Sequence, residues 1–101
     1  MKFDHQEYIN LRNFHENQME YTRKCFPIGT WVTITDKRVV NGVDVDKAFK
    51  VIGYDVNAGD DPVLILGGFI SRYGYNIASP FDAEISIQYI RNEKISSILN
   101  D

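Results

Sequence analysis

The side chains whose chemistry comes first for catalysis are His5, His15, Cys25 and Asp82. An imidazole moves protons near neutral pH and a thiolate attacks electrophiles, but each needs a partner within hydrogen-bond reach. On a single helix His5 and His15 stand ten residues apart, or about 15 Å along the axis, so they share neither a proton nor a metal. The same spacing separates His15 from Cys25. Arg23 and Lys24 beside Cys25 have the sign that lowers a thiol pKa, yet Cys25 falls on an apolar helix stripe, which predicts a buried and inert thiol. Asp82 and Glu84 are neighbouring carboxylates with nothing to set an acid against a base. "DVNAGDD" at 55–61 opens like a calcium loop with Asp55 and Asn57. Gly59 then stands where an oxygen ligand is required, Asp60 where glycine is required, and Leu66 where glutamate is required. A polar turn between two strands is the expected reading. With one cysteine there is no thiolate zinc set, and no G-x-S-x-G, Walker A or G-x-G-x-x-G pattern occurs. The expectation is a chain that is not an enzyme and takes no cofactor or metal.

Binding chemistry fits the residues better. "FISRYGYNIASPF" at 69–81 gathers Phe69, Tyr73, Tyr75 and Phe81 around Arg72. Tyrosine and arginine dominate binding hot spots because each joins contact area to directional hydrogen bonding. Phe69 and Phe81 flank the stretch and are expected in the core. Tyr73, Tyr75 and Ile77 alternate as one face of a short strand would, so inward packing of these rings competes with a surface role. The candidate binding set is therefore Arg72, Tyr73 and Tyr75, with Trp31, which lies opposite Val32 and Ile34, as a candidate neighbour. A second candidate surface is basic: Lys37, Arg38, Lys47 and Lys50, with aromatic stacking, have the means to meet nucleic-acid phosphates. Asp36, Asp44 and Asp46 dilute it.

These residues must be placed by elements that the sequence pattern specifies. Residues 4–25 read as one amphipathic helix. "DHQE" at 4–7 has the form of a capping box, with Asp4 accepting from a backbone N–H three residues on and Glu7 reaching back. Phe3, Tyr8, Leu11, Phe14, Met19, Tyr21 and Cys25 fall in one apolar arc of about 160° at helical period. His15, Gln18 and Thr22 lie within the same arc. Arg12–Glu16 and Glu20–Lys24 are spaced for ion pairs on the opposite side, and Pro27 and Gly29 end the helix. From Thr30 the period changes to two. "TWVTIT", "KAFKVIGYDV", "PVLILGG" and "AEISIQYI" read as strands. Asn41-Gly42, between valine-bearing arms, is the strongest short hairpin signal because a type I′ turn needs positive φ at both residues. Asn92 is placed to cap a short terminal helix over 92–99.

The class that follows is α+β: an N-terminal helix, about five short antiparallel strands over 29–90, and a terminal helix, in one domain over 1–101. A strand set of this size must hide its edges, which predicts closure into a small barrel or roll. A glycine ahead of Val32 and Ile34, a long first hairpin, a central hairpin and a final isoleucine-rich strand resemble an SH3-like small barrel. An open sheet with the helix across one face is the alternative.

Composition narrows the partners. The formal net charge is −3, and residues 55–101 carry three basic against seven acidic groups. Binding through phosphates needs a basic surface, so a protein partner is expected ahead of nucleic acid. No apolar run approaches the roughly 18–20 residues that span a bilayer, and the polar N-terminal stretch lacks the apolar core of a signal peptide. A single cysteine favours a reducing compartment. A cytoplasmic protein with no membrane partner is expected. Short chains rich in asparagine and isoleucine resemble phage or mobile-element accessory proteins, which implies an accessory or inhibitor acting on a macromolecular partner. The wide helix arc also leaves room for self-association.

Overall fold

Asp4 starts the first helix as its side chain dictates. Its Oδ1 accepts from the backbone N–H groups of Gln6 at 2.8 Å and Glu7 at 3.1 Å, satisfying two of the donors a helix start leaves free. The reciprocal half of the capping box is replaced by a distant residue: the Asp4 N–H donates to the Tyr21 hydroxyl oxygen at 2.9 Å. This computed structural model describes residues 2–11, 14–42 and 46–86.

The expected single helix over 4–25 is two helices, α1 (His5–Asn10) and α2 (His15–Cys25). Along one straight helix Phe3 and Phe26 would stand about 35 Å apart, whereas their rings lie 5.7 Å apart. Asn10, where α1 ends, belongs to a residue type of low helix propensity. Folding back also lets Tyr8 enter the core and Phe3 pack against it. The buried Gln18 amide holds the two helices together, donating to the Tyr8 carbonyl at 3.1 Å. Most of the predicted stripe is inside: Tyr8, Tyr21 and Cys25 are buried, and Phe3 and Leu11 pack against the same cluster. Phe14 is the exception, at 59% exposed. Glu20 and Lys24 form the expected pair at 3.3 Å; Arg12 lies outside the described residues.

Beyond Gly29, whose φ of 95° suits glycine, the described residues form five strands: β1 (Trp31–Ile34), β2 (Ala48–Val56), β3 (Pro62–Gly67), β4 (Ile77–Ala78) and β5 (Ala83–Ile85). The sheet order is β4-β3-β2-β1-β5 and each pairing is antiparallel. The period of two sends Val32 and Ile34 of β1, Phe49 and Val51 of β2, and Leu64 and Leu66 of β3 inward, where they meet Cys25, Phe26 and Phe69. A register shift between Val51 and Gly53 marks a bulge in β2.

Two sequence expectations are corrected. The type I′ turn expected at Asn41-Gly42 does not form. Neither residue has the positive φ a type I′ turn requires, and Val40 is buried in the core rather than alternating. The Asn41 amide is committed elsewhere, donating to the Ile70 carbonyl at 2.9 Å. The sheet is also open rather than closed. Its edges, β4 and β5, span two and three residues, too short for the continuous ladder that closure needs, and a 3₁₀ turn over Pro80–Asp82 separates them. Helices and the Phe3 arm cover the inner face instead. The expected helix over 92–99, and the expected strand beyond Ser86, lie outside the described residues. Among the described residues no helix is long and apolar enough to cross a membrane.

Candidate functional site

The connection from β3 to β4 holds most of the predicted binding residues, and its own polar atoms shape it. Ser71 is buried, and its hydroxyl oxygen accepts from the backbone N–H groups of Tyr73 at 3.3 Å and Tyr75 at 3.2 Å. The Ser71 N–H donates to the Tyr75 carbonyl at 2.7 Å, and the Gly74 N–H to the Ser71 carbonyl at 2.9 Å. Gly74, with φ of 86°, takes the left-handed position that reverses the chain between the two tyrosines. Residues 72–74 therefore form a turn and not the strand that the alternation of Tyr73, Tyr75 and Ile77 suggests. The side chains point to solvent: Tyr73 is 67% exposed and Tyr75 63%. Arg72 is exposed beside them.

A second loop braces the first. Asp36 and Val39 close a turn, the Val39 N–H donating to the Asp36 carbonyl at 3.2 Å, and the Val39 carbonyl accepts from the Arg72 N–H at 2.8 Å. The Asn41–Ile70 hydrogen bond adds a second tie. Arg38 sits in this turn, and the Tyr73 phenol is close enough to act on its charge. Asp36 accepts from Arg38 Nε and Nη2, each at 2.9 Å, with a third bond from the Arg38 backbone N–H at 3.0 Å. These hydrogen bonds hold the Asp36 carboxyl below its ordinary range. Ile70, at 62% exposed, extends the patch with an apolar side chain.

Trp31 belongs elsewhere. It is half-buried at the start of β1, paired with Lys50 of β2, and the Lys50 ammonium lies 5.4 Å from its ring centroid. Because β1 runs from Trp31 toward the Asp36–Val39 turn, Trp31 and the tyrosine loop sit at opposite ends of that strand. The structure unites Arg72, Tyr73 and Tyr75 and leaves Trp31 apart. The flanking Phe69 is buried, and Phe81 packs on the core against Tyr8 at 4.9 Å. Ile70 carried no sequence signal, and Arg38 was placed in the basic set rather than beside the tyrosines, since their approach depends on a loop–loop contact across about thirty residues of chain.

A further feature is a cleft of about 560 Å³ lined by Phe3, Phe26, Phe81 and Ile85, with Lys2, His5, Thr35 and Glu84 at its polar parts. His5 stands edge-on to Phe81, with ring centroids 4.8 Å apart. Asp82 lies nearby, its carboxyl pushed up by burial and by the Asp36 charge, against the opposing charges of Arg38 and His5. No pattern could reveal this cleft, because its walls lie about eighty residues apart in sequence. Cys25 is buried, and burial pushes its thiol pKa up, the opposite of what a nucleophile needs. The 57–61 loop uses the Asn57 side-chain oxygen to accept from Gly59 and Asp61 N–H at 2.9 and 3.0 Å. Among the described residues no group of three His, Cys, Asp or Glu side chains is placed to hold a metal ion. No protein-family model matches this chain, and comparison with curated proteins and with solved structures yields no match either.

Proposed function

We propose that this chain is a non-catalytic binding module that receives a protein partner on the loop carrying Arg72, Tyr73 and Tyr75. One observation carries this reading: two tyrosines are about two-thirds exposed on a loop whose backbone is pinned by Ser71, Val39 and Asn41. Large rings held on a fixed backbone lose little entropy on binding, so their contact area converts efficiently into affinity. The basic residues favour a protein over nucleic acid. Arg38 is matched by Asp36, Lys47 lies over the Phe49 ring at 5.8 Å and Lys50 over Trp31, which leaves no continuous track for a phosphate backbone among the described residues. The strand order supports reading the sheet as an opened SH3-like roll. A phage-type accessory or inhibitor protein of the cytoplasm fits the short chain and its single buried cysteine.

Tyr73→Ser/Tyr75→Ser is the test. Bait is compared quantitatively between wild type, this variant and an Ile28→Ser control at an exposed position away from the loop. Proteins retained by wild type and control are expected to fall by about tenfold or more on the tyrosine variant, a difference of about 1.4 kcal/mol. Equal retention by all three overturns the reading. A second reading, self-association across the helices, draws on the exposed Phe14. Sedimentation that gives a dimer for wild type and a monomer for Phe14→Ser would support it, and a monomeric wild type would remove it.

A further inference from the structure

We propose that the tyrosine loop takes an acidic peptide segment, with Arg72 and Lys37 receiving its carboxylates. This rests on the loop being the binding surface. The Arg72–Val39 and Asn41–Ile70 hydrogen bonds set the Asp36–Val39 turn directly against the tyrosine loop, so the cations belong to two neighbouring turns. Three are present: Lys37, Arg38 and Arg72. Arg38 is already engaged, its guanidinium bridged to both carboxylate oxygens of Asp36. Lys37 and the Arg72 guanidinium are exposed and have no ion-pair or hydrogen-bond partner among the described residues. In a chain of net charge −3, these two unmatched cations lie on the loop that exposes Tyr73 and Tyr75 and on the turn hydrogen-bonded to it.

That arrangement has a definite complement. The planar fork of Arg72 suits a carboxylate bidentately, and Lys37 supplies a second point charge. Tyr73 and Tyr75 offer area beside them, and the exposed Ile70 receives an apolar side chain of the same segment. Charges at such a rim set partner choice and association rate more than raw affinity. Nucleic acid makes a poorer complement. Typical phosphate binding neutralises about six to ten phosphates, whereas this surface offers two unmatched cations with the Asp36 and Asp82 carboxylates near Arg38.

The full chain, applied to an array of random dodecapeptides at about 50 mM salt, where charge contacts are strongest, provides the test. Retained peptides are expected to be enriched in Asp and Glu beside an apolar residue. Arg72→Glu and Lys37→Glu should each weaken them by about tenfold, while Lys24→Glu on α2 leaves them unchanged. All three positions are exposed, so circular dichroism should show the fold kept. Retained peptides without acidic enrichment, or retention that survives Arg72→Glu, overturn the inference. If Tyr73→Ser/Tyr75→Ser still abolishes retention in that case, the loop stands as the binding surface and only its charge preference falls. No retention above that of a Lys37→Glu/Arg72→Glu double variant overturns it as well. Tighter binding of a single-stranded oligothymidylate than of the best acidic peptide overturns it in favour of nucleic acid.

Discussion

Tyr21 has its ring in the core and its hydroxyl at the start of another element, where it accepts from the Asp4 N–H at 2.9 Å. Tyr21→Phe keeps the ring and orphans that donor. The expected loss is about 1 kcal/mol, the net value of one such hydrogen bond, read as a lower urea midpoint with an unchanged slope. Asp82 makes a prediction of opposite sign. Its carboxyl is pushed up by burial first and by the Asp36 charge second, so the folded chain holds a proton where the unfolded chain releases it. The stability this supplies is present in acid, below the ordinary carboxylate value, and is lost as pH rises through the raised one. Asp82→Asn is therefore expected to melt higher than wild type at about pH 7 and equally at about pH 3. A variant no more stable at neutral pH would show that the Arg38 and His5 charges outweigh burial. Asp36 runs the other way, since its carboxyl is held down by Arg38; its contribution is present at neutral pH and lost on acidification. The Asp4 cap was legible in "DHQE", because capping is a local exchange of hydrogen bonds. The replacement of Glu7 by Tyr21 was not, because it depends on α1 folding back onto α2.

At the scale of elements, the tyrosine loop is held from below by one buried serine. Ser71→Ala removes the acceptor shared by the Tyr73 and Tyr75 N–H groups. Amide exchange at both residues is expected to quicken by about fivefold, as a loss of about 1 kcal/mol in local stability implies. Exchange in β3 should be unchanged. Gly74→Ala acts on the same turn by another route. Its φ of 86° costs an L-residue about 1–2 kcal/mol, and nothing lies within 4 Å of the added Cβ. The loss seen in thermal melting should therefore reflect backbone strain alone, and an Asn at this position should recover part of it, since Asn tolerates the left-handed region best. The strands that alternate strongly, β1 and β2, were legible because a buried face fixes their register. The turn at 72–74 was not. Tyr73, Tyr75 and Ile77 alternate as well as any strand, and it is Ser71, with its bonds back to the turn, together with the left-handed Gly74 that decides against it. Asn41-Gly42 misled for a related reason: its local preference yields to burial of Val40 and to the amide contact with Ile70.

For the whole molecule, the open sheet shifts the burden of closure onto the chain's own N-terminal segment. Phe3 lies within 6 Å, ring to ring, of Tyr8, Tyr21, Phe26 and Phe81. It thus links α1, α2, the helix exit and the 3₁₀ turn that leads into β5. A sheet whose edge strands are two and three residues long gains little from its own ladders there, so these ring contacts and the helices supply most of the cover for the inner face. If one core spans helices and sheet, removing Phe3 must weaken both together. Phe3→Ala is expected to cost about 2 kcal/mol, less than the 3–5 kcal/mol typical of a fully buried ring because Phe3 keeps part of its surface exposed. That moves the urea midpoint by roughly 1 M. Two probes separate a shared core from an appended arm. Far-UV circular dichroism follows the helices, and fluorescence of Trp31, the one tryptophan, follows the sheet at β1. Coincident transitions shifted equally in Phe3→Ala are the expected result. An early loss of helix signal with the Trp31 transition unmoved would mean that the sheet folds without the N-terminal segment. The open edges would then have to be stabilised by something other than the helices packed on the inner face.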